Sequence, residues 1–105
     1  MTSEKFIKFR EMIEREYSHA VTKHPKFCDA LVPPSFDFEE EEKRWKKWND
    51  ESEKHYACDI LREEMAEAMN AIDKGEKEHA KQELAQVCAV CLRIMDELEK
   101  EKENK

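Results

Sequence analysis

A single glycine in 105 residues excludes glycine-rich phosphate loops and dinucleotide fingerprints, since both need several positions free of a Cβ. Only three prolines are present, the last at Pro34, so nothing beyond it need interrupt a helix. No apolar run approaches the roughly 18 residues of a membrane span, and Met1-Thr2-Ser3-Glu4-Lys5-Phe6 lacks the apolar core of a secretion signal. A soluble, cytoplasmic protein without a membrane partner is expected. Positive charge is also in short supply. The 19 Lys and Arg residues stand against 26 Asp and Glu, a net charge of -7, which argues against nucleic acid as a partner because a phosphate backbone repels an acidic face.

What remains is 43% charged and 39% hydrophobic, rich in Glu, Lys, Ala, Leu and Met, residues that lose little rotamer freedom in a helix. An all-α, four-helix single domain over 1–105 follows. Phe6, Phe9, Ile13, Tyr17, Ala20 and Val21 recur at three- and four-residue steps and predict an amphipathic helix over 5–23. His24-Pro25 and Pro33-Pro34 set a loop over 24–36, whose Phe27, Leu31, Val32 and Phe36 predict that it lies across the helices. A second helix over 37–49 is acidic at its start (Glu39 to Glu42) and basic afterwards, matching the helix dipole. A third is expected from about Ser52 to Lys74 and a fourth from about Glu76 to Glu99, leaving 99–105 as a frayed tail. Residues 1–54 thus form N-terminal helices and loop, and 55–98 a helical hairpin. A core this thin gains from a second copy, so a homodimer or homotetramer is expected.

On a wheel of 100° per residue, Ala57, Ile60, Leu61, Ala68, Ala71 and Ile72 share one arc of the third helix, and Glu64 and Glu67 fall inside it. On the fourth, Glu83 lies inside the arc of Ala80, Leu84, Val87, Val90, Cys91, Ile94, Met95 and Leu98, with Gln86 at its edge. A carboxylate in an apolar setting is costly unless paired, protonated or bound to a metal. Glu67 and Glu83 stand 8 residues either side of Gly75, roughly 12 Å from the bend, and Glu64 and Gln86 stand 11 residues either side, roughly 16 Å away. Four oxygen-bearing side chains therefore converge in two layers. No cation lies within either arc, and hard oxygen ligands suit Mg²⁺, with Mn²⁺ possible in its place. Magnesium usually keeps positions for substrate phosphates, which points to a phosphorylated substrate.

Glu63-Glu64-Met65-Ala66-Glu67 and, 15 intervening residues later, Glu83-Leu84-Ala85-Gln86 resemble the E-E-x-x-E and E-x-x-D motifs of the MazG-type nucleoside triphosphate pyrophosphohydrolases. The resemblance spans about residues 55 to 98, and the run from Leu84 to Arg93 is similar to small phage and bacterial MazG-like chains. It implies an all-α hydrolase that converts a nucleoside triphosphate, often a deoxy or non-standard one, to the monophosphate and pyrophosphate with Mg²⁺. It also implies metal ligation by Glu64, Glu67 and Glu83, with Glu63 as the catalytic base that orients or deprotonates the attacking water. Gln86 departs from the pattern, standing where the family usually has Asp. Its amide oxygen can still ligate but brings no charge, so weaker metal affinity follows. The alternative function is a catalytically inactive helical interaction protein that keeps the bundle.

Trp45, Trp48 and Tyr56 offer faces on which a nucleobase could stack, and His55 precedes Tyr56 at the expected start of the third helix. These four are the candidate substrate-binding residues, with core or interface packing the competing role of the aromatics. Lys43, Arg44, Lys46 and Lys47 are read as a solvated helix face, with phosphate contact as the alternative. Cys28, Cys58, Cys88 and Cys91 lack a zinc-site arrangement and are expected to be small buried hydrophobes. His19, His24 and His79 are expected on the surface or at helix caps.

Overall fold

The computed structural model describes the backbone of residues 1–103 and the side chains of residues 1–100. The described residues form four helices and no strand, in the order α1 (Ser3–Lys23), α2 (Phe38–Glu51), α3 (Ala57–Asp73) and α4 (Lys77–Glu103). None of them is long and apolar enough to cross a membrane.

Each boundary has a local cause. Thr2 caps α1 by accepting from the Lys5 amide at 3.2 Å, and the helix closes at His24, the residue before Pro25. Asp37 caps α2 by accepting from the Glu40 amide at 3.0 Å, with Glu39, Glu40 and Glu41 in the first turn. Ser52, expected to open the third helix, instead closes the second. Its backbone N–H and its hydroxyl both bond the Trp48 carbonyl, at 3.1 and 2.5 Å. A serine suits either end of a helix, and here its back-bond to the preceding turn prevails, so α3 starts five residues later at Ala57. Asp73 ends α3 in a Schellman turn: the Gly75 amide bonds Ile72 O and the Glu76 amide bonds Ala71 O, each at 3.0 Å, with Gly75 at φ +74°. At its far end α4 continues to Glu103, past Glu99, helped by Lys100 pairing with Asp96 at 3.5 Å and Glu97 at 3.3 Å. The last two residues of the expected frayed tail lie outside the described residues.

The chain divides into two compact units. One comprises Met1–Ala30 and the chain from Leu92 onward. In it Phe9 is buried, Lys5 faces the buried Asp96 at 3.6 Å, and Lys8 bonds Glu99 at 2.9 Å. Much of its apolar surface is uncovered: Phe6, Ile7, Ile13, Tyr17 and Val21 on α1 are all exposed, as is Phe27 in the following loop. That loop residue was expected to lie across the helices, but it keeps 87% of its surface.

The other unit is Leu31–Cys91. Its core is built from Phe38, Ala66, Ala68, Ala71 and Ala80, with the Phe36 and Phe38 rings 4.7 Å apart. The buried residues of α3 and of the first turns of α4 are mostly alanines, and small side chains let helices approach closely. Asp59, Asn70 and Glu83 are buried in the same unit, so polar groups occupy part of what would otherwise be core. The cysteines depart from expectation. Cys28, in the loop after α1, and Cys58 and Cys88 are exposed and only Cys91 is half-buried; on α3 and α4 the alanine-lined seam is narrow and leaves neighbouring helical positions uncovered.

Candidate metal centre

Glu63, Glu64 and Glu67 lie on consecutive turns of α3 and bring one carboxylate oxygen each within 4.8 Å of one another. Glu83, 9% exposed on α4, is not among those three but reaches Glu67. Glu67 is central, within hydrogen-bonding reach of both Glu64 and Glu83. Carboxylates accept but do not donate, so such contacts need a shared proton or a cation between them. Glu64 Oε2 and Glu83 Oε2 are buried with no donor.

The electrostatic consequence falls on Glu67. Burial first, then the hydrogen bond with Glu83 and the charges of Glu64 and Glu83, push its carboxyl up to about 8 from 4.5. Burial, followed by the charges of Glu83 and Glu63, also raises Glu64. A proton on Glu67 relieves like-charge repulsion in the absence of a cation, and a divalent ion among these oxygens relieves it more completely.

Two neighbours hold the acidic residues in place. Asn49 on α2 donates from Nδ2 to Glu63 Oε1 at 3.0 Å and to the Asp59 carbonyl at 3.1 Å, which fixes Glu63 relative to the helix that carries it. His79, one turn before Glu83, bonds Glu83 Oε1 through Nε2 at 3.1 Å and Glu76 Oε2 through Nδ1 at 3.0 Å. The hydrogen bond to Glu76, together with Glu83, raises the His79 pKa above 6.5.

The cation missing from the α3 and α4 arcs comes from α2. Lys46 Nζ is 3.8 Å from Glu67 Oε1 and 3.4 Å from Glu42 Oε1, and Asn70 donates to Glu42 Oε2 at 2.7 Å. Burial works against the Lys46 ammonium, but Glu42, then Glu67 and Glu63, outweigh it and raise its pKa.

Gln86 stands apart from this group. It is exposed and, among the described residues, makes no hydrogen bond to the carboxylates. Of the candidate substrate-binding residues, Trp45 and Trp48 line a cleft of about 210 Å³ with Arg44, Asp59 and Arg62. Trp45 donates to Glu41 at 2.9 Å beneath the Arg62 guanidinium, whose Cζ is 5.3 Å from the ring centroid. Trp48 donates to the buried Asp59 at 3.2 Å while keeping 57% of its surface. His55 and Tyr56 are exposed in the connection before α3. Neither Trp48 nor Tyr56 is a core residue.

Sequence reasoning missed Asn49, His79 and the reach of Lys46. His79 was legible, because Glu76, His79 and Glu83 follow the three- and four-residue steps of one helix face. Asn49 and Lys46 left no such trace, since their register against α3 is set by the 52–56 connection. No protein-family model, curated protein or solved structure matches the chain.

Proposed function

We propose that the chain is a MazG-like nucleoside triphosphate pyrophosphohydrolase that uses Mg²⁺, or Mn²⁺ in its place, to release pyrophosphate from a nucleoside triphosphate, a deoxynucleotide among the candidates. The observation that carries this reading is the pair of donorless buried oxygens, Glu64 Oε2 and Glu83 Oε2, on either side of a Glu67 carboxyl pushed up to about 8. Such a donor set fits a hard divalent cation, because closely spaced carboxylate oxygens, two of them without a donor, are what it binds.

Glu64, Glu67 and Glu83 would hold the ion. When bound, it supplies positive charge against the phosphate oxygens and lowers the pKa of nearby water. Glu63, oriented by Asn49, accepts the proton of the water whose oxygen attacks the α-phosphorus. The bond from that phosphorus to the bridging oxygen breaks, and pyrophosphate leaves with the electron pair. His79 keeps Glu83 turned toward the site. Trp48, exposed beside Asp59, offers a face for the base one helical turn from Glu63. Gln86 is an accessory residue in this scheme and supplies no charge.

A second copy belongs to the same reading. The exposed apolar residues Phe6, Ile13, Tyr17 and Val21 recur along α1 at helical spacing, as a homodimer or homotetramer interface requires. So does a cytoplasmic location, where nucleoside triphosphates are found.

Incubation with a panel of ribo- and deoxynucleoside triphosphates and Mg²⁺ should yield monophosphate and pyrophosphate from at least one of them. Silence across the panel by protein with bound Mn²⁺ would favour the non-catalytic interaction bundle, a reading consistent with the exposure of Gln86.

A further inference from the structure

We infer that Lys46 serves the carboxylate site twice: its ammonium offsets the summed charge of the Glu63, Glu64, Glu67 and Glu83 group while no divalent ion is bound, and turns to the pyrophosphate moiety of the substrate once an ion takes its place. This rests on the proposed function and deepens it by assigning the polyphosphate-binding group.

The geometry sets Lys46 apart from its neighbours. Among the described residues it is the one Lys or Arg whose charged nitrogen comes within 4.0 Å of Glu63, Glu64, Glu67 or Glu83. At 3.8 Å from Glu67 Oε1 it forms an ion pair rather than a hydrogen bond, so the contact is easily exchanged. Its 3.4 Å contact with Glu42 holds the side chain beside the site, and Glu42 is itself fixed by the buried Asn70. The Lys46 side chain is 49% exposed, which leaves its flexible stem room to swing.

Charge then decides the direction of movement. A divalent ion among Glu64, Glu67 and Glu83 removes the attraction that draws Nζ toward Glu67 and replaces it with repulsion. The substrate brings several phosphate charges to that same ion. An ammonium tethered at the rim by Glu42 becomes their nearest cation, a point-charge partner that any phosphate geometry can use.

The test is calorimetric titration with Mn²⁺ alone, then with inorganic pyrophosphate onto the Mn²⁺-loaded protein. Lys46→Met should bind Mn²⁺ about threefold more tightly, because a competing charge is gone. It should bind pyrophosphate about tenfold more weakly, because a charge-assisted contact is lost. Opposite signs are the signature, since damage to the fold would weaken both. Lys46→Arg should retain pyrophosphate affinity within a few-fold, and Lys43→Met, one turn away and paired with Glu39 at 3.8 Å, should alter neither constant. Lys46→Gln replaces the methionine variant if that chain loses helicity. Unchanged pyrophosphate affinity in the neutral variant, or weakening of both ligands together, overturns the assignment while leaving the proposed function standing. A wild-type protein that takes up no Mn²⁺ overturns both.

Discussion

Glu67 and Glu83, eight residues before and eight after Gly75, meet across the turn, and the contact helps to raise the Glu67 carboxyl. Both are held in a seam of alanines, with Glu64 and Glu63 beside them on α3. Charge is concentrated where the fold offers least water, and the first tests follow from that.

Removing single charges tests the proposed ligands. Glu64→Gln or Glu83→Gln should reduce pyrophosphate release by at least about 100-fold, as loss of a metal ligand or its orienting partner commonly does. Helicity by circular dichroism should stay at the wild-type level. Retained turnover in either variant removes that residue from the site.

Stability of the metal-free protein should fall as pH rises from about 5 to about 8. Unfolded Glu67 loses its proton near 4.5, whereas the folded protein holds it to about 8, so in this window the unfolded state binds fewer protons and falls in free energy relative to the folded one as pH rises. The contribution is complete below 4.5 and is lost as pH passes through about 8. The raised pKa values of Glu64 and His79 act with the same sign. Thermal midpoints measured across this range should decline, and Glu67→Gln, which cannot titrate, should flatten the decline. Saturating Mg²⁺ should flatten it too. Parallel slopes for wild type and Glu67→Gln would locate the dependence elsewhere.

Gly75→Ala isolates the turn. A Cβ there meets nothing within 4 Å, so the cost is purely that of holding a non-glycine residue at φ +74°. Urea denaturation should show a loss of about 1 kcal/mol. A neutral result would mean that the backbone relaxes out of the left-handed region.

Asn49→Ala removes the side chain that joins Glu63 to the Asp59 carbonyl. About 1 kcal/mol of stability should be lost, with a larger proportional fall in kcat than in KM, because Glu63 is left unaimed while the proposed phosphate contacts persist. A change confined to KM would argue against Glu63 as the base.

The apolar face of α1 can be read by sedimentation. Ile13→Glu or Tyr17→Lys should shift the protein from a concentration-dependent assembly to monomer, since a charge at the centre of an apolar contact is left without water. Wild-type protein that is already monomeric at high concentration excludes this face as the interface.

The number and kind of elements were legible because helix periodicity and capping act over three or four residues. The run from Phe6 to Val21, the acidic start of the second helix and the stop at Gly75 are all short-range signals. The alignment of Glu67 with Glu83 was legible for a related reason: a tight turn makes distance along the chain equal to height along both helices. Ser52 misled because a helix start and a helix end use the same residue type. Cys58, Cys88 and Phe27 misled because apolarity marks candidates for burial but does not say whether another element covers them.

From the sequence alone come four helices, a hairpin turn at the one glycine, and carboxylates directed toward the seam between α3 and α4. Those depend on local backbone preferences and on a fixed rise per residue. The tertiary structure alone decided what surrounds the carboxylates: Lys46 and Asn49 arrive from α2, Gln86 is left in solvent, and Trp48 turns its indole N–H to Asp59. Side chains on different helices meet only when a connection such as 52–56 fixes one helix's rotation and height against the next, and no spacing along the chain encodes that.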